Sequence, residues 1–266
     1  MPVDSIKSVV QAAIQRASAV TGVDFGFLLG TARRESGLNP TAKAPTSSAS
    51  GLFQFVDQTW LATLKSHGAK HGYARYASLI ERGGDGRYYV PGAEAKKAVM
   101  DLRLDPRASA LMAGEFTSDN AAYIRGRVGR EPTGGELYVA HFLGAAGSAR
   151  LIQARSANPG ASAAAMFPEA ARANPTIFYR QGRAATVAEV YANLTATHAG
   201  GGPTQTREPE KAFIEYASGR RLDRMEQQRE LVDLVLRGRQ ETDSLADSVM
   251  NAAMMRAAAY AKNRGG

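Results

Sequence analysis

The stretch TARRESGLNPTAKAPTSSASGLFQF, residues 31–55, decides how the chain is interpreted. It holds a single carboxylate, Glu35, which follows two arginines. Asp24 is a favourable N-cap before this stretch, and Gly37 is a favourable stop inside it. These two signals predict a helix that begins at Asp24 and ends near Gly37. Residues 40–50 are small and polar and include two prolines, which predicts a loop.

The position of Glu35 on this helix is unusual for a glutamate. Leu28, Ala32 and Glu35 are spaced i, i+4, i+7, so the carboxylate shares the face that packs inward. It also lies in the last turn, where the helix dipole disfavours an anion, while Arg33 and Arg34 project to other faces. Both effects favour a protonated carboxyl that can act as a general acid. The position alone leaves open a solvated glutamate with no special role.

The rest of the chain predicts a mostly α fold with little or no sheet. Sustained period-2 alternation and an Asn-Gly hairpin are both missing. Further helices are expected after Asp105-Pro106, over 186–198, and over 133–154 with breaks at Gly144 and Gly147. The segment ERGGDGRYYVPG, residues 81–92, is expected to be an exposed turn region.

Composition shifts near residue 199 predict two parts. The segment AGGGPTQTREP, residues 199–209, has the glycines and prolines of a linker. It separates a first domain, residues 1–198, from a helical C-terminal extension, residues 210–266, with two amphipathic patterns. These helices either pack as a hairpin, on the main domain or on each other, or bind a protein partner.

Charge and composition narrow the class of partner. The 266-residue chain is 44% hydrophobic and 22% charged, which is typical of a globular protein. Its net charge is +8, and residues 207–266 are nearly neutral, so the basic excess lies in the first part. This favours an acidic partner: nucleic acid, an anionic membrane surface or an anionic cell-wall polymer. No helix-turn-helix pattern or basic-aromatic stripe is present, so no nucleic acid is expected.

Other functional classes are disfavoured by what the sequence lacks. There is no cysteine, which excludes disulfides and thiolate metal sites. No run of about 18 apolar residues occurs, so no transmembrane segment is predicted. The N-terminus does not show a signal peptide, so work outside the cytoplasm would require a removed leader or another route.

Two further polar positions, a pair of histidines and an aspartate, are candidates for functional sites. His67 and His71 stand at i, i+4, but Gly68 and Gly72 disfavour a helix there and no third ligand is evident, so we predict no metal site. Asp57 is predicted to be the N-cap of the next helix rather than a second catalytic carboxylate.

The ordered motifs resemble the lytic transglycosylase family with a lysozyme-like fold, whose members cleave bacterial peptidoglycan. Glu35-Ser36 matches the family's Glu-Ser at the end of the active-site helix. Gly51-Leu52-Phe53-Gln54 matches its Gly-Leu-[Met/Phe]-Gln strip after a small-residue loop. The segment AHFLG, residues 140–144, aligns with the third motif, Ala-Tyr-Asn-x-Gly, but has His141 for Tyr and Phe142 for Asn. The resemblance implies a lysozyme-like α-helical domain over residues 1–198.

The resemblance also implies a role for each matched residue. Glu35 would be the catalytic residue and needs no cofactor. The glycan groove would be lined by Ser36, Gly51, Leu52, Phe53, Gln54, Phe55, His141 and Phe142, and by a tyrosine for which Tyr123, Tyr179 and Tyr191 are candidates. From the residues alone, Ser36 is equally a helix-end hydroxyl bonded to a carbonyl, and the aromatics are equally core residues. For His141 the residues alone favour a core histidine with its hydrogen bonds satisfied over a groove residue. Gly51 is expected to supply a positive φ or a close backbone approach.

The activity implied by the resemblance is cleavage of the MurNAc-β-1,4-GlcNAc bond with formation of a 1,6-anhydro product. Most glycosidases need two carboxylates, but none lies between Glu35 and Asp57. The expected partner is the peptidoglycan glycan strand, and the expected location is the periplasm or the cell wall. Hydrolysis by a muramidase on the same fold remains an alternative. So does a weakly catalytic wall-binding component of a secretion, flagellar or phage machine.

Overall fold

A computed structural model describes residues 3–45 and 47–196. This part of the chain is mostly α-helical, as predicted, with two small antiparallel sheets. The predicted linker and C-terminal extension, residues 199–209 and 210–266, lie outside the described residues. The helices are α1 (Val3–Thr21), α2 (Phe25–Ser36), α3 (Asp57–His67), α4 (Ala74–Ser78), α5 (Ala93–Asp101), α6 (Pro106–Val128), α7 (Gly134–Ala157), α8 (Ala163–Met166), α9 (Pro168–Ala173), α10 (Pro175–Phe178) and α11 (Val187–Ala196).

Helix α2 begins and ends where its capping residues predict. The Asp24 side chain accepts a hydrogen bond from the Phe27 N–H at 2.7 Å. Gly37 has φ 62° and its N–H reaches the carbonyls of Ala32 and Arg33, which closes the helix. Glu35 therefore lies in the last turn, as expected.

The first hydrophobic core is organised around Trp60 of α3. Its ring is fully buried, and its Nε1–H donates to the Val99 carbonyl at 2.9 Å. The Phe55 ring packs edge-on against Trp60, with centroids 5.4 Å apart. Leu28 and Ala32 of α2 belong to the same core, which fixes the inward face of that helix below Glu35.

A second core is formed by α7 to α11 around the buried ring of Phe178. Val139 and Phe142 from the first half of α7 are part of it. His141 lies between the buried residues Ala140 and Phe142 in sequence and is itself only partly buried.

Helix α7 is broken once, at Gly144. Gly144 has φ 74° and ψ 162°, a conformation that essentially only glycine adopts. The second predicted break, at Gly147, is wrong, because the only non-helical residue inside α7 is Gly144. His141 consequently lies in the last turn of the first half of α7.

The two sheets are short hairpins. Strands β1 (Glu81–Arg82) and β2 (Tyr88–Tyr89) pair antiparallel inside the predicted turn region. Strands β3 (Tyr179–Arg180) and β4 (Arg183–Ala184) form the second hairpin. Among the described helices, none has the length and apolar character that crossing a membrane requires.

Candidate functional site

Glu35 faces His141, which lies 106 residues later in the chain. The His141 Nε2 is 3.2 Å from the Glu35 Oε1. The Glu35 side chain is 8% exposed and that of His141 is 20% exposed, so the pair is largely shielded but open to one side. Within the described ranges, this is the one side-chain hydrogen bond made to the Glu35 carboxylate.

The neighbouring residue on α2 also contacts α7. The Arg34 guanidinium lies over the Tyr138 ring, 4.2 Å from its centroid. Tyr138 is buried and precedes His141 by three residues, so both lie on one side of α7. Stacking on the aromatic ring holds the Arg34 cation, and both contacts join the end of α2 to the first half of α7.

Ser36 connects the end of α2 to the strip at residues 51–54. Its Oγ lies 2.8 Å from the Leu52 carbonyl and 3.1 Å from the Ala32 carbonyl. The hydroxyl hydrogen is thus used on backbone carbonyls, one of them in the strip itself. A direct role toward substrate stays a prediction.

Gln54 stabilises the same strip from within. Its backbone has φ 49°, in the left-handed region that is uncommon for residues other than glycine. Its buried Nε2 donates to the Gly51 carbonyl at 2.9 Å and the Ala42 carbonyl at 3.2 Å. The amide therefore ties the loop to the strip, and its binding of an N-acetyl group stays a prediction.

Gly51 shows both properties that the sequence predicted for it. Its φ is 83°, and a Cβ added there would lie 1.9 Å from the Arg103 carbonyl oxygen. The Arg103 Nη1 in turn donates to the carbonyls of Ser48 and Phe55, at 2.8 and 3.0 Å. Backbone and guanidinium of one residue thus hold the strip from two directions.

The apolar residues of the strip are core residues in this structure. Leu52, Phe53 and Phe55 are all buried in the core around Trp60. Phe55 also packs edge-on against Phe116, with centroids 6.2 Å apart. Of the two alternatives for these aromatics, packing is what the geometry shows, and lining of a groove stays a prediction.

The remaining candidates lie at different places on the second half of the fold. Phe142 is buried in the core around Phe178. Tyr123 and Tyr191 pack, partly buried, against a small cluster that includes Ala140. Tyr179 is exposed at the start of β3. A role for any of them toward substrate stays a prediction.

Asp57 is not the N-cap that the sequence predicted. It is the first residue of α3, Val56 occupies the cap position, and Asp57 makes no side-chain cap. Its Oδ1 instead accepts from the Arg103 Nη1 at 2.9 Å. An anion in the first turn still benefits from the helix dipole, and the arginine gives it a second partner.

His67, the last residue of α3, and His71, four residues later, belong to an ion-pair network with α6. His67 lies 3.1 Å from Glu115 and 2.9 Å from Asp119, and His71 and Lys70 both lie 2.7 Å from Glu115. Burial acts to raise the pKa of Glu115, but hydrogen bonds from Lys70 and His71 outweigh it and hold that pKa below its usual range. These ion pairs join the end of α3 and the residues after it to α6.

Among the residues that the structure describes, no cluster of three or more acidic or histidine side chains is arranged to hold a metal ion.

A buried carboxylate that the sequence interpretation missed is Glu136, near the start of α7. It accepts two hydrogen bonds from Arg130, at 2.7 and 2.8 Å, one from the Thr133 N–H and one from the Tyr191 hydroxyl, both at 2.8 Å. Burial would raise the pKa of Glu136, but these donors lower it to about 2. The signal was available, since Thr133-x-x-Glu136 is a capping-box pattern, and the box is present.

A separate cavity of about 500 Å³ lies at the other end of α2. Asp24, Phe27, Thr117, Arg125 and Gly134 are among its lining residues. Asp24 and Glu35 are eleven residues apart, which corresponds to about 16 Å along a helix. The cavity and the Glu35 carboxyl are therefore distinct places on the molecule.

No protein-family model matches the chain. The site must therefore be judged from its own chemistry. A shielded carboxyl with one histidine partner can donate and then recover a proton, which is what a general acid and base requires.

Proposed function

We propose that this protein is a peptidoglycan lytic transglycosylase in which Glu35 is the acid and the base. The observation that carries the proposal is the Glu35 carboxyl itself: shielded, at a helix end, and bonded to His141 alone among the described side chains. The ordered Glu-Ser and Gly-Leu-Phe-Gln motifs support it, because Ser36 and Leu52 are in contact.

The reaction needs only one carboxylate from the protein. Glu35 gives its proton to the glycosidic oxygen as the bond from that oxygen to C1 of N-acetylmuramic acid breaks. The N-acetyl group of the same sugar stabilises C1. The Glu35 carboxylate then takes the proton of the C6 hydroxyl while that oxygen bonds to C1, which closes the 1,6-anhydro ring and returns Glu35 to its starting state.

Three other carboxylates of the described residues support this choice. Glu115 and Glu136 are each held by at least three donors, which favour their ionised forms. Asp57 is paired with Arg103. None of the three makes a hydrogen bond with Glu35 or His141, so no nucleophile or base is positioned beside Glu35 by the described contacts.

The basic first part of the chain fits the substrate and the proposed location. Peptidoglycan carries peptide stems with free carboxylates, and a positive protein surface attracts such a polymer. We accordingly propose action on the wall, in the periplasm or outside the cell.

Product analysis tests the proposal. Purified protein is incubated with sacculi, and the released muropeptides are analysed by mass spectrometry. We expect 1,6-anhydro products, each lighter by one water than its reducing counterpart. Reducing ends alone would show that the enzyme is a hydrolytic muramidase.

Two glutamate variants form the matched controls. Glu35→Gln removes the proton and keeps the shape, and we expect release to fall by about 10²–10⁴-fold. Glu94→Gln makes the same chemical change at an exposed position in the first turn of α5 and should leave release unchanged. Equal release by wild type and Glu35→Gln, or no release at all by wild type, would remove the catalytic proposal and leave a wall-binding role.

A further inference from the structure

The pairing of His141 with Glu35 has a consequence for where the proton resides. One nitrogen, Nε2, faces one oxygen, Oε1, at 3.2 Å. A proton between these atoms belongs to an imidazolium beside a carboxylate, to a neutral imidazole that donates to a carboxylate, or to a carboxylic acid that donates to a neutral imidazole.

We propose that His141 is a positioning residue that shares one proton with Glu35 through their hydrogen bond. This inference rests on the proposed function, which it deepens by adding the group that supplies the proton. His141 does not touch the sugar in this scheme. Glu35 delivers the proton to substrate, and His141 holds it in the resting enzyme.

The surroundings of the pair are consistent with this role. Next to the pair in sequence, Arg34 precedes Glu35 on α2 and Tyr138 lies one turn before His141 on α7, and the Arg34 cation is stacked on the Tyr138 ring. Shielding weakens screening by water, so the two groups interact more strongly than an exposed pair would. The partial exposure of the His141 side chain, 20%, leaves the imidazole a route to exchange protons with solvent.

The alternative for His141 is a simple hydrogen-bond donor that orients the carboxyl. A glutamine at position 141 separates the two, because its amide nitrogen can replace the Nε2 donor but cannot carry an added proton. In His141→Gln the hydrogen bond to the Glu35 carboxyl can still form, but the side chain at position 141 can no longer share a proton with it.

The first measurement is the pH profile of the initial rate on soluble, uncrosslinked glycan fragments. A proton shared with an imidazole is lost at higher pH than the proton of a carboxyl alone, because an ordinary histidine titrates about two pH units above an ordinary glutamate. We therefore expect the limb at which the rate falls with rising pH to move down by roughly two pH units in His141→Gln. An unmoved limb would overturn proton sharing.

The matched control is His67→Gln. His67 lies in the network with Glu115 and Asp119, away from Glu35. This variant makes the same chemical change and should keep the wild-type limb, even if its unfolding temperature falls. A shift as large as that of His141→Gln would mean that loss of any histidine moves the profile, and would count against the proposal.

The second measurement needs no activity. In the ¹⁵N-labelled full chain, the imidazole of His141 is identified as the signal lost in His141→Gln and is titrated by NMR. Removing the Glu35 charge in Glu35→Gln should lower its titration midpoint by about one pH unit, because a neighbouring anion favours imidazolium. An identical midpoint in wild type and Glu35→Gln would overturn the inference.

The two measurements distinguish the failures. If the midpoint moves but sacculi are not cleaved, the shared proton is real and the proposed function is wrong. If cleavage depends on Glu35 but neither the limb nor the midpoint moves, the transglycosylase proposal stands and His141 only orients the carboxyl.

Discussion

Glu35 and Glu136 are both buried carboxylates at helix ends, and they are built in opposite ways. Glu136 is fully buried near the N-terminus of α7 and accepts four hydrogen bonds, two of them from a guanidinium. Glu35 is nearly as shielded, at the C-terminus of α2, with a bond to one imidazole.

This difference separates structural from reactive acids. A carboxylate surrounded by donors at a helix N-terminus is held ionised and has no proton to give. A carboxyl with one partner that itself titrates can change its protonation state at little cost. Burial alone would have ranked Glu136 above Glu35 as a functional acid, and the count and type of donors reverse that ranking.

The largest expected effect is on sacculus cleavage, which should be lost in one glutamate variant and kept in the other. Glu35→Gln should lose about 10²–10⁴-fold in sacculus cleavage and change the free energy of unfolding by less than about 1 kcal/mol. Glu136→Gln should cleave like wild type when assayed well below its unfolding temperature. Cleavage assays and urea unfolding on both variants test this, and equal losses of activity in the two would erase the contrast.

The second effect concerns stability alone. Glu136→Gln places an amide where Arg130 and Tyr191 donate and leaves the guanidinium without its anion. The Arg130 side chain is 48% exposed and stays solvated, so we expect a cost of roughly 2 kcal/mol, mainly from the weakened hydrogen bonds to the buried group. Urea unfolding at pH 7 measures it, with Glu94→Gln as the exposed control. A cost below about 1 kcal/mol would show that the network contributes little.

The same network predicts how stability depends on pH. The pKa of Glu136 is about 2 in the folded protein, below its ordinary value of 4.5. Its contribution is therefore fully present above about pH 4.5 and is lost as pH falls toward 2. The difference in unfolding free energy between wild type and Glu136→Gln should shrink across that window. A difference that grows on acidification would have the wrong sign.

A smaller effect is expected at Gly51, which supports the strip next to Glu35. Alanine would be strained at φ 83° and would collide with the Arg103 carbonyl. We expect a loss of about 2 kcal/mol in unfolding free energy and a drop in cleavage, because the strip must shift. Unchanged values in both assays would show that the backbone around Gly51 and Arg103 shifts easily to accept a Cβ. Gly84→Ala, where nothing lies within 4 Å of an added Cβ, is the control.

The smallest effect is expected at Ser36. Ser36→Ala removes the bond to the Leu52 carbonyl and should cost about 1 kcal/mol of stability. Cleavage should fall only a few-fold if the hydroxyl serves to hold the strip. A loss as large as that of Glu35→Gln would instead place Ser36 in contact with substrate.

Local signals made part of this site predictable. Asp24 and Gly37 define α2 through hydrogen bonds within a few residues, so its ends could be predicted from the sequence. Gly51 was predicted because only glycine fits a backbone that turns and touches another chain segment. The last-turn position of Glu35 followed from the same helix.

Contacts between distant segments were not predictable. The bond between His141 and Glu35 joins residues 106 positions apart, and no local pattern states which helices pack together. Asp57 was assigned a cap because its position suited one, but Arg103, 46 residues away, takes its carboxylate. Burial of Leu52, Phe53 and Phe55 likewise depends on α3 and α6, which the strip itself does not encode.

The break in α7 at Gly144 affects the electrostatic field at the Glu35–His141 pair. It places His141 near the C-terminal end of a half-helix, and Glu35 lies at the C-terminal end of α2. Each end carries partial negative charge, and the hydrogen bond between His141 and Glu35 joins residues of these two last turns. Such a field favours positive charge, whether a proton at rest or the partly cationic sugar of glycosidic cleavage. The break at Gly144 thus adds a second helix end, with its partial negative charge, close to the Glu35–His141 pair.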